Sequence, residues 1–167
     1  AFPAALLAAL RAKLGLRREE DADRELVDDL LRLMAQDRAD YTITFRRLAD
    51  FDSGAGAANA RVRDLFIDRA AFDAWAQRYA ARLRGEASLD AERGLRMKQV
   101  NPKFVLRNHL AEVAIRDTRR GEFGEVQRLL KVLARPYDEH ADGGPDIEAY
   151  AGFPPEWAQT IEVSCSS

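Results

Sequence analysis

The chain has 167 residues, of which 26 are basic and 28 are acidic, so its formal net charge is -2. This near-neutral balance excludes the strongly basic composition that is typical of proteins that bind nucleic acid or anionic membranes. Hydrophobic residues make up 47% of the chain and charged residues 32%, which indicates an ordinary soluble globular protein, long enough for one packed core.

The single cysteine rules out an internal disulfide and a cysteine-based zinc site. No apolar run is long enough to span a bilayer, and the opening residues lack the basic segment of a signal peptide. The chain begins with Ala1 and not with Met, which predicts a fragment or a processed product.

The first forty residues show helical periodicity. Leucines recur at helical spacing up to Leu14, and Gly15 is expected to end that helix. The acidic stretch 19–23 favours the start of a second helix, because carboxylates stabilise the positive end of the helix dipole.

The middle of the chain continues this pattern. A short helix is predicted over Tyr41–Leu48 and a loop of small residues over 52–60. Asp68 is a candidate N-cap for a longer helix. The inner face of that helix is predicted to carry residues at spacings of three, four and four, namely Phe72, Trp75, Tyr79 and Leu83.

A start signal stands at Asn101-Pro102, because Asn suits the N-cap and Pro suits the first helical position. The helix that it predicts ends near Gly121. A further helix is predicted from about residue 123 to residue 133, and Pro136 stops it.

From residue 138 the chain turns polar and Gly-rich, which predicts a loop, then one short helix started by Pro155 and an extended tail. No alternating pattern indicates a sheet. We therefore expect an all-α fold, a compact multi-helix domain of about six or seven helices with an irregular C-terminal tail. Residues 1–137 form the predicted helical region, and residues 138–167 form the loop, short helix and cysteine-bearing tail.

Two motifs within residues 50–59 superficially resemble nucleotide sites. Residues 50–54, DFDSG, resemble the metal-binding turn of protein kinases, and residues 54–59 imitate part of a phosphate-binding glycine loop. The kinase turn requires a catalytic loop and a strand lysine, and the glycine loop requires a preceding strand, none of which this chain contains. The favoured interpretation is a helix C-terminus with Phe51 packed inward, followed by a flexible linker.

The two histidines and an arginine cluster are weaker candidates. His109 and His140 do not provide the four closely spaced ligands of a zinc site, and His109 is expected to be a hydrogen-bonded residue on a helix face. Arg116, Arg119 and Arg120 lie near a predicted helix C-terminus, where cations favour the dipole. A nucleic-acid role for these arginines conflicts with the overall charge.

Cys165 is the one candidate site residue that remains. It stands in a polar tail between Ser164 and Ser166, where access is expected but nothing visible lowers the pKa of the thiol. An idle tail residue and a redox-active thiol both stay open on these grounds.

Residues 101–108, NPKFVLRN, are similar to a signature of the selenoprotein O family, whose bacterial members are the YdiU-like protein adenylyltransferases. The terminal residues 163–167, VSCSS, match the position where animal members of the family carry selenocysteine. Shorter matches stand in the family's order at residues 41–48, 121–130, 136–139 and 155–157.

The resemblance implies that the full-length protein is an atypical kinase-like enzyme that moves AMP from ATP to protein hydroxyls, with ATP and magnesium as its cofactors. The family's nucleotide and metal residues lie in an N-terminal kinase-like half, and no position of this chain matches them. We therefore expect no catalytic, cofactor-binding or metal-binding residue here, and no activity of this chain alone. Cys165 would be the redox-active terminal residue, paired in the family with a cysteine of the kinase-like half.

The resemblance also implies the partners, which are the kinase-like half and protein substrates, in the bacterial cytoplasm. The near-neutral net charge gives no reason to expect nucleic acid or a membrane as a partner. Three functions remain open: an accessory helical region of a protein adenylyltransferase, a stand-alone helical module that binds a partner protein, and a small arginine-dependent nucleic-acid binder.

Overall fold

The computed structural model describes residues 2–54 and 56–160. This part of the chain contains nine α-helices, two 3-10 helices and no β-strand, which confirms the predicted all-α fold. The α-helices are α1 (Phe2–Lys13), α2 (Asp23–Asp37), α3 (Tyr41–Leu48), α4 (Ala60–Arg63), α5 (Arg69–Gly85), α6 (Asp90–Val100), α7 (Asn108–Arg119), α8 (Gly124–Leu133) and α9 (Gly144–Tyr150). The number exceeds the predicted six or seven because α4 and α9 are short helices of four and seven residues.

The chain divides into two compact units, Ala1–Asn101 and Pro102–Ser167. The predicted change in composition at residue 138 therefore lies inside the second unit. None of the described helices combines the length and the apolar character that are needed to cross a membrane.

The core of the first unit is built on one face of α5. Phe72, Trp75, Tyr79 and Leu83 are all almost completely buried, which confirms the inward face that their spacing predicts. Ring centroids lie 5.0 Å apart between Trp75 and Tyr79 and 4.9 Å apart between Tyr79 and Phe51. Such aromatic pairs add to the free energy gained from apolar burial. The N-cap prediction for α5 is also confirmed, because the Asp68 carboxylate accepts a hydrogen bond from the backbone N–H of Ala71 at 2.9 Å.

Two polar tips of this aromatic face tie α5 to the helices around it. The Trp75 indole N–H donates to the Leu26 carbonyl at 2.9 Å, and the Tyr79 hydroxyl donates to the Leu14 carbonyl at 2.6 Å. Burial raises the pKa of Tyr79, so this hydroxyl keeps its proton and remains a donor.

A buried ion-pair network fixes the turn between α1 and α2. Asp23, fully buried at the start of α2, pairs with Arg82 of α5 at 2.8 Å, and Arg82 also pairs with Glu86 at 3.0 Å. The Glu86 carboxylate accepts backbone N–H groups of Arg17 and Arg18 at 3.2 and 3.3 Å. The predicted acidic start of α2 is confirmed, and its first carboxylate is part of the core.

The predicted helix start at Asn101-Pro102 is wrong. Asn101 ends α6, and its backbone N–H donates to the Met97 carbonyl at 2.8 Å. Its buried side chain instead donates to the Lys13 carbonyl at 2.8 Å and accepts from the Lys13 ammonium group at 3.2 Å. A tertiary contact between the ends of α1 and α6 therefore overrides the local capping preference, and α7 begins only at Asn108.

The second unit contains the α7–α8 hairpin and the segment after it. Residues 138–146, predicted as a loop, include a 3-10 helix at Ala141–Gly143 and the first turn of α9. Pro145 is compatible with that turn because the missing proline N–H would have no partner there. The core cluster of this unit consists of Leu110, Ala114 and Leu129, with Val126, Leu133 and Tyr150 packed against it.

Candidate functional site

The loop between α3 and α4 borders a concave surface of the first unit. A groove of about 600 Å³ lies between this loop and α5, with Phe51, Phe72 and Ala80 among its lining residues. Smaller depressions of about 470 and 250 Å³ open on the α6 side and beside Arg47. The two nucleotide-like motifs of the sequence therefore lie at the concave surface where a ligand site would be expected.

Buried Arg93 of α6 holds this loop through hydrogen bonds. Its guanidinium group donates to the Phe51 carbonyl and to the Asp90 carboxylate, and its side chain is completely buried. Phe51 is 2% exposed, which confirms the prediction that it packs inward. An arginine can hold a carbonyl and a carboxylate at once because its donors form a rigid planar fork.

Ser53 completes the support. Its backbone N–H and its hydroxyl donate to the Asp90 carboxylate at 2.8 and 2.7 Å. Burial would raise the pKa of Asp90, but the hydrogen bonds from Ser53 and from Arg93 outweigh burial and lower that pKa below its ordinary value. The Asp90 carboxylate is thus committed to holding the loop.

The polar residues of the kinase-like turn and of the glycine segment likewise bond to neighbouring protein groups. The Asn59 side chain bonds the backbone of Asp52 in both directions, as an acceptor at 2.8 Å and as a donor at 3.0 Å. Asp50 pairs with Lys98 at 2.9 Å and with Arg61 at 3.3 Å. The helix after the glycines, α4, has only four residues, too few to develop the dipole of a phosphate-binding helix. These contacts favour a structural role for the loop.

Across residues 2–54 and 56–160, no group of three or more His, Cys, Asp or Glu side chains is placed to hold a metal ion. The expectation that this chain has no metal site remains a prediction.

The two histidines are each explained by local packing. His109 of α7 is buried, and its ring meets Trp157 edge-on with the centroids 6.2 Å apart. Burial, and after it the charge of Arg107, lowers the pKa of His109. The expected hydrogen bond of His109 is absent among the described residues. His140 bonds the Arg135 carbonyl at 2.9 Å, and its ring packs edge-on against Phe104.

The arginine cluster lies at the C-terminus of α7, as the sequence predicts. Arg116 pairs with Glu112 at 3.5 Å and Arg120 pairs with Asp117 at 3.4 Å, both along their own helix segment. Exposed pairs of this kind contribute little to stability, and their carboxylates dilute the positive surface that a phosphate backbone would need.

Cys165, the predicted redox residue, lies outside the residues that the structure describes. Its exposure and its reactivity therefore stay predictions.

Comparison with known proteins decides the family. The sequence profile of the protein adenylyltransferase SelO family matches residues 1–134. The chain belongs to this family. Among curated relatives, the protein nucleotidyltransferase YdiU of Burkholderia lata is 55% identical over 166 residues, which cover 99% of this chain and 31% of that protein. The protein of the same name from Burkholderia cenocepacia is 54% identical, with the same coverage. The chain thus spans 31% of the length of the relatives that it matches.

The segment that resembles the SelO signature anchors chain segments in both units. In the first unit, Asn101 joins α1 to α6 through Lys13. In the second unit, the backbone N–H groups of Lys103 and Phe104 donate to the Pro136 carbonyl at 2.8 and 3.1 Å. The Lys103 ammonium group also pairs with Glu148 of α9 at 2.6 Å.

The sequence does not reveal the supporting contacts of Arg93 and Lys103. Lys103 belongs to the signature, but its carboxylate partner, Glu148, is distant in sequence. Arg93 lies one turn before buried Met97, and an arginine on the inner face of a helix is the signal that could have identified it.

Proposed function

We propose that this chain is the accessory helical region of a protein adenylyltransferase, an enzyme that transfers AMP from ATP to hydroxyl groups of proteins. The observation that carries the proposal is the family match over residues 1–134, together with 55% identity to a protein nucleotidyltransferase of which this chain spans 31%. ATP and magnesium would be bound by the kinase-like remainder of the full-length protein, whose location we place in the bacterial cytoplasm.

The contacts of the α3–α4 loop support a non-catalytic role for this region. Asp50 of the loop pairs with Lys98. The Asp90 carboxylate of α6 pairs with Arg93 and accepts the Ser53 hydroxyl. A magnesium site for ATP would require carboxylate oxygens directed at the metal. The region is therefore proposed to stabilise the kinase-like half and to present the tail cysteine, Cys165, as a redox-active thiol.

A calorimetric titration tests whether the chain binds nucleotide alone. ATP with magnesium should give no specific heat with this chain, whereas the full-length protein, as the positive control, should bind. Magnesium-dependent binding of ATP to the chain alone, abolished by Asp50→Asn, would overturn this part of the proposal and restore the loop as a nucleotide site.

A deletion tests the accessory role itself. The full-length protein without this region should melt at a lower temperature and transfer less AMP, and adding the separately purified chain should recover part of both losses. If the truncated protein melts and transfers AMP like the full-length protein, the region is not an accessory of the enzyme.

The runner-up function is a stand-alone helical module that binds a partner protein. The exposed apolar side chains of the second unit favour it, because large apolar groups at a surface mark interaction sites. Failure of the chain to bind or rescue the truncated enzyme would shift the assignment to this module.

A further inference from the structure

One side of the α7–α8 hairpin carries large apolar residues that its own core does not bury. Ile115, Phe123 and Leu130 are 48%, 55% and 65% exposed. We call these three residues the outer apolar face. Ordinary surface helices carry polar residues on the side away from the core.

The helical geometry places the three residues together. Ile115 and Leu130 each follow by one position a residue of the core cluster, Ala114 and Leu129. One residue turns an α-helix by about 100°, and in two antiparallel helices that step leads to the same side of the pair. Phe123 precedes Leu130 by seven residues, almost two full turns, and so lies on the same side.

Arg119 adds a positive charge to this side of the hairpin. It lies one turn after Ile115, and it has no hydrogen-bond or ion-pair partner among the described residues. The neighbouring Arg116 and Arg120 are both paired with carboxylates of their own segment. The complementary surface would therefore be apolar, with a carboxylate placed to meet Arg119.

The second unit has little core of its own to hold this hairpin. Among the described residues of the second unit, the core cluster contains three buried residues, and Phe104 and Val132 are buried outside it, whereas the cluster of the first unit contains nineteen. Small units with so little buried apolar surface are marginal unless something else covers them. A partner surface that covers the outer apolar face would therefore also stabilise the hairpin.

We infer that the outer apolar face docks on the remainder of the full-length protein, against an apolar patch that carries a carboxylate. The chain spans 31% of its relatives, so the larger part of the protein lies outside it. The area that three apolar side chains can bury is far smaller than the roughly 800 Å² per partner that a stable dimer buries. A covalently linked partner needs less surface, because the link holds it at a high effective concentration. This inference rests on the proposed accessory role.

Hydrogen exchange tests the inference in the full-length protein. Amides of α7 and α8 should exchange at least tenfold more slowly in the full-length protein than in this chain alone. The double variant Phe123→Ser and Leu130→Gln should lose most of that difference in the full-length protein. Circular dichroism of the same variant in this chain checks that the helices survive, since both side chains are exposed. Ile67→Gln, 83% exposed in the first unit and outside the face, is the matched control and should change nothing.

The outcomes separate the docking face from the accessory role. Equal exchange of α7 and α8 in both contexts, with protection elsewhere in this chain, would refute the face and leave the accessory role standing. No added protection anywhere, together with an inert deletion of the region, would refute both. A concentration-dependent dimer of this chain that Leu130→Gln abolishes would overturn the inference in favour of a second copy as the occupant.

Discussion

Replacing Asn101 by alanine removes the side chain that joins the ends of α1 and α6. Asn101 is 1% exposed, and the substitution deletes one hydrogen bond to the Lys13 carbonyl and one to the Lys13 ammonium group. The lost donor to the carbonyl should cost about 1.5 kcal/mol, because that oxygen is left without its buried partner. The lost acceptor should cost only about 0.5 kcal/mol, because the flexible ammonium group can reach water.

The expected loss of unfolding free energy is therefore about 2 kcal/mol, or a fall of roughly 4–8 °C in the melting temperature for a chain of this size. Urea unfolding followed by circular dichroism measures it, and a lower midpoint with an unchanged slope identifies a pure loss of stability. Gln99→Ala, which removes an exposed amide from the same helix, is the control and should leave the midpoint in place.

Asn101→Asp distinguishes this contact from the helix cap that the sequence suggests. Aspartate caps helices about as well as asparagine, so a capping role predicts little change. A carboxylate cannot donate to the Lys13 carbonyl, so the contact seen here predicts a clear loss of stability, which an ion pair with the Lys13 ammonium group offsets only in part. A stable aspartate variant, or an alanine variant with an unchanged midpoint, would refute the reasoning.

Three further substitutions test other features. Gly94→Ala should destabilise the chain by about 1–3 kcal/mol, because the new Cβ would lie 2.6 Å from the Ala49 carbonyl oxygen, whereas Gly85→Ala meets nothing within 4 Å and should be neutral or slightly stabilising in the same melts. The pKa of Asp90 is lowered in the folded chain, so the stability that its carboxylate contributes is present above the unfolded pKa of about 3.9 and is lost as the pH falls through the folded value. The difference in unfolding free energy between wild type and Asp90→Asn, measured by urea unfolding, should therefore become smaller below about pH 4. Cys165 should react with Ellman's reagent in the native chain at the rate of an unfolded control and form dimers that vanish in Cys165→Ser; strong protection of the native thiol would contradict an exposed tail.

The inner face of α5 could be predicted because a single local rule decides it. Its buried aromatics repeat at helical spacing, and Asp68 supplies a local cap. The end of α1 could be predicted in the same way, because Gly15 follows the helix with a φ of 71°, a conformation that favours glycine. A Cβ at this position would also lie 2.6 Å from the Arg93 side chain. The helix start predicted at Asn101 was wrong because the partner of its side chain, Lys13, is 88 residues away, and no local sequence pattern indicates such a contact.

The α3–α4 loop shows the same limit at the candidate site. Its sequence resembles two nucleotide-binding motifs, but no strand pattern precedes it. That difference favours the interpretation as a helix C-terminus followed by a linker. The hydrogen bond from buried Arg93 that fixes the loop could not be foreseen, because its acceptor, the Phe51 carbonyl, lies 42 residues earlier in the chain. In an Arg-rich chain, sequence alone does not distinguish a core arginine from a solvated one.

The bond between Lys13 and Asn101 has a consequence for synthesis on the ribosome. The two residues are separated by 88 positions, and chains are made at about 5–20 residues per second, so roughly 4–18 seconds pass between them. During that interval α1 can pack on α2, but the side that α6 later covers stays open to solvent. Translation pauses before residue 101 would lengthen this exposure, and the nascent first unit would be most prone to misassembly at that stage.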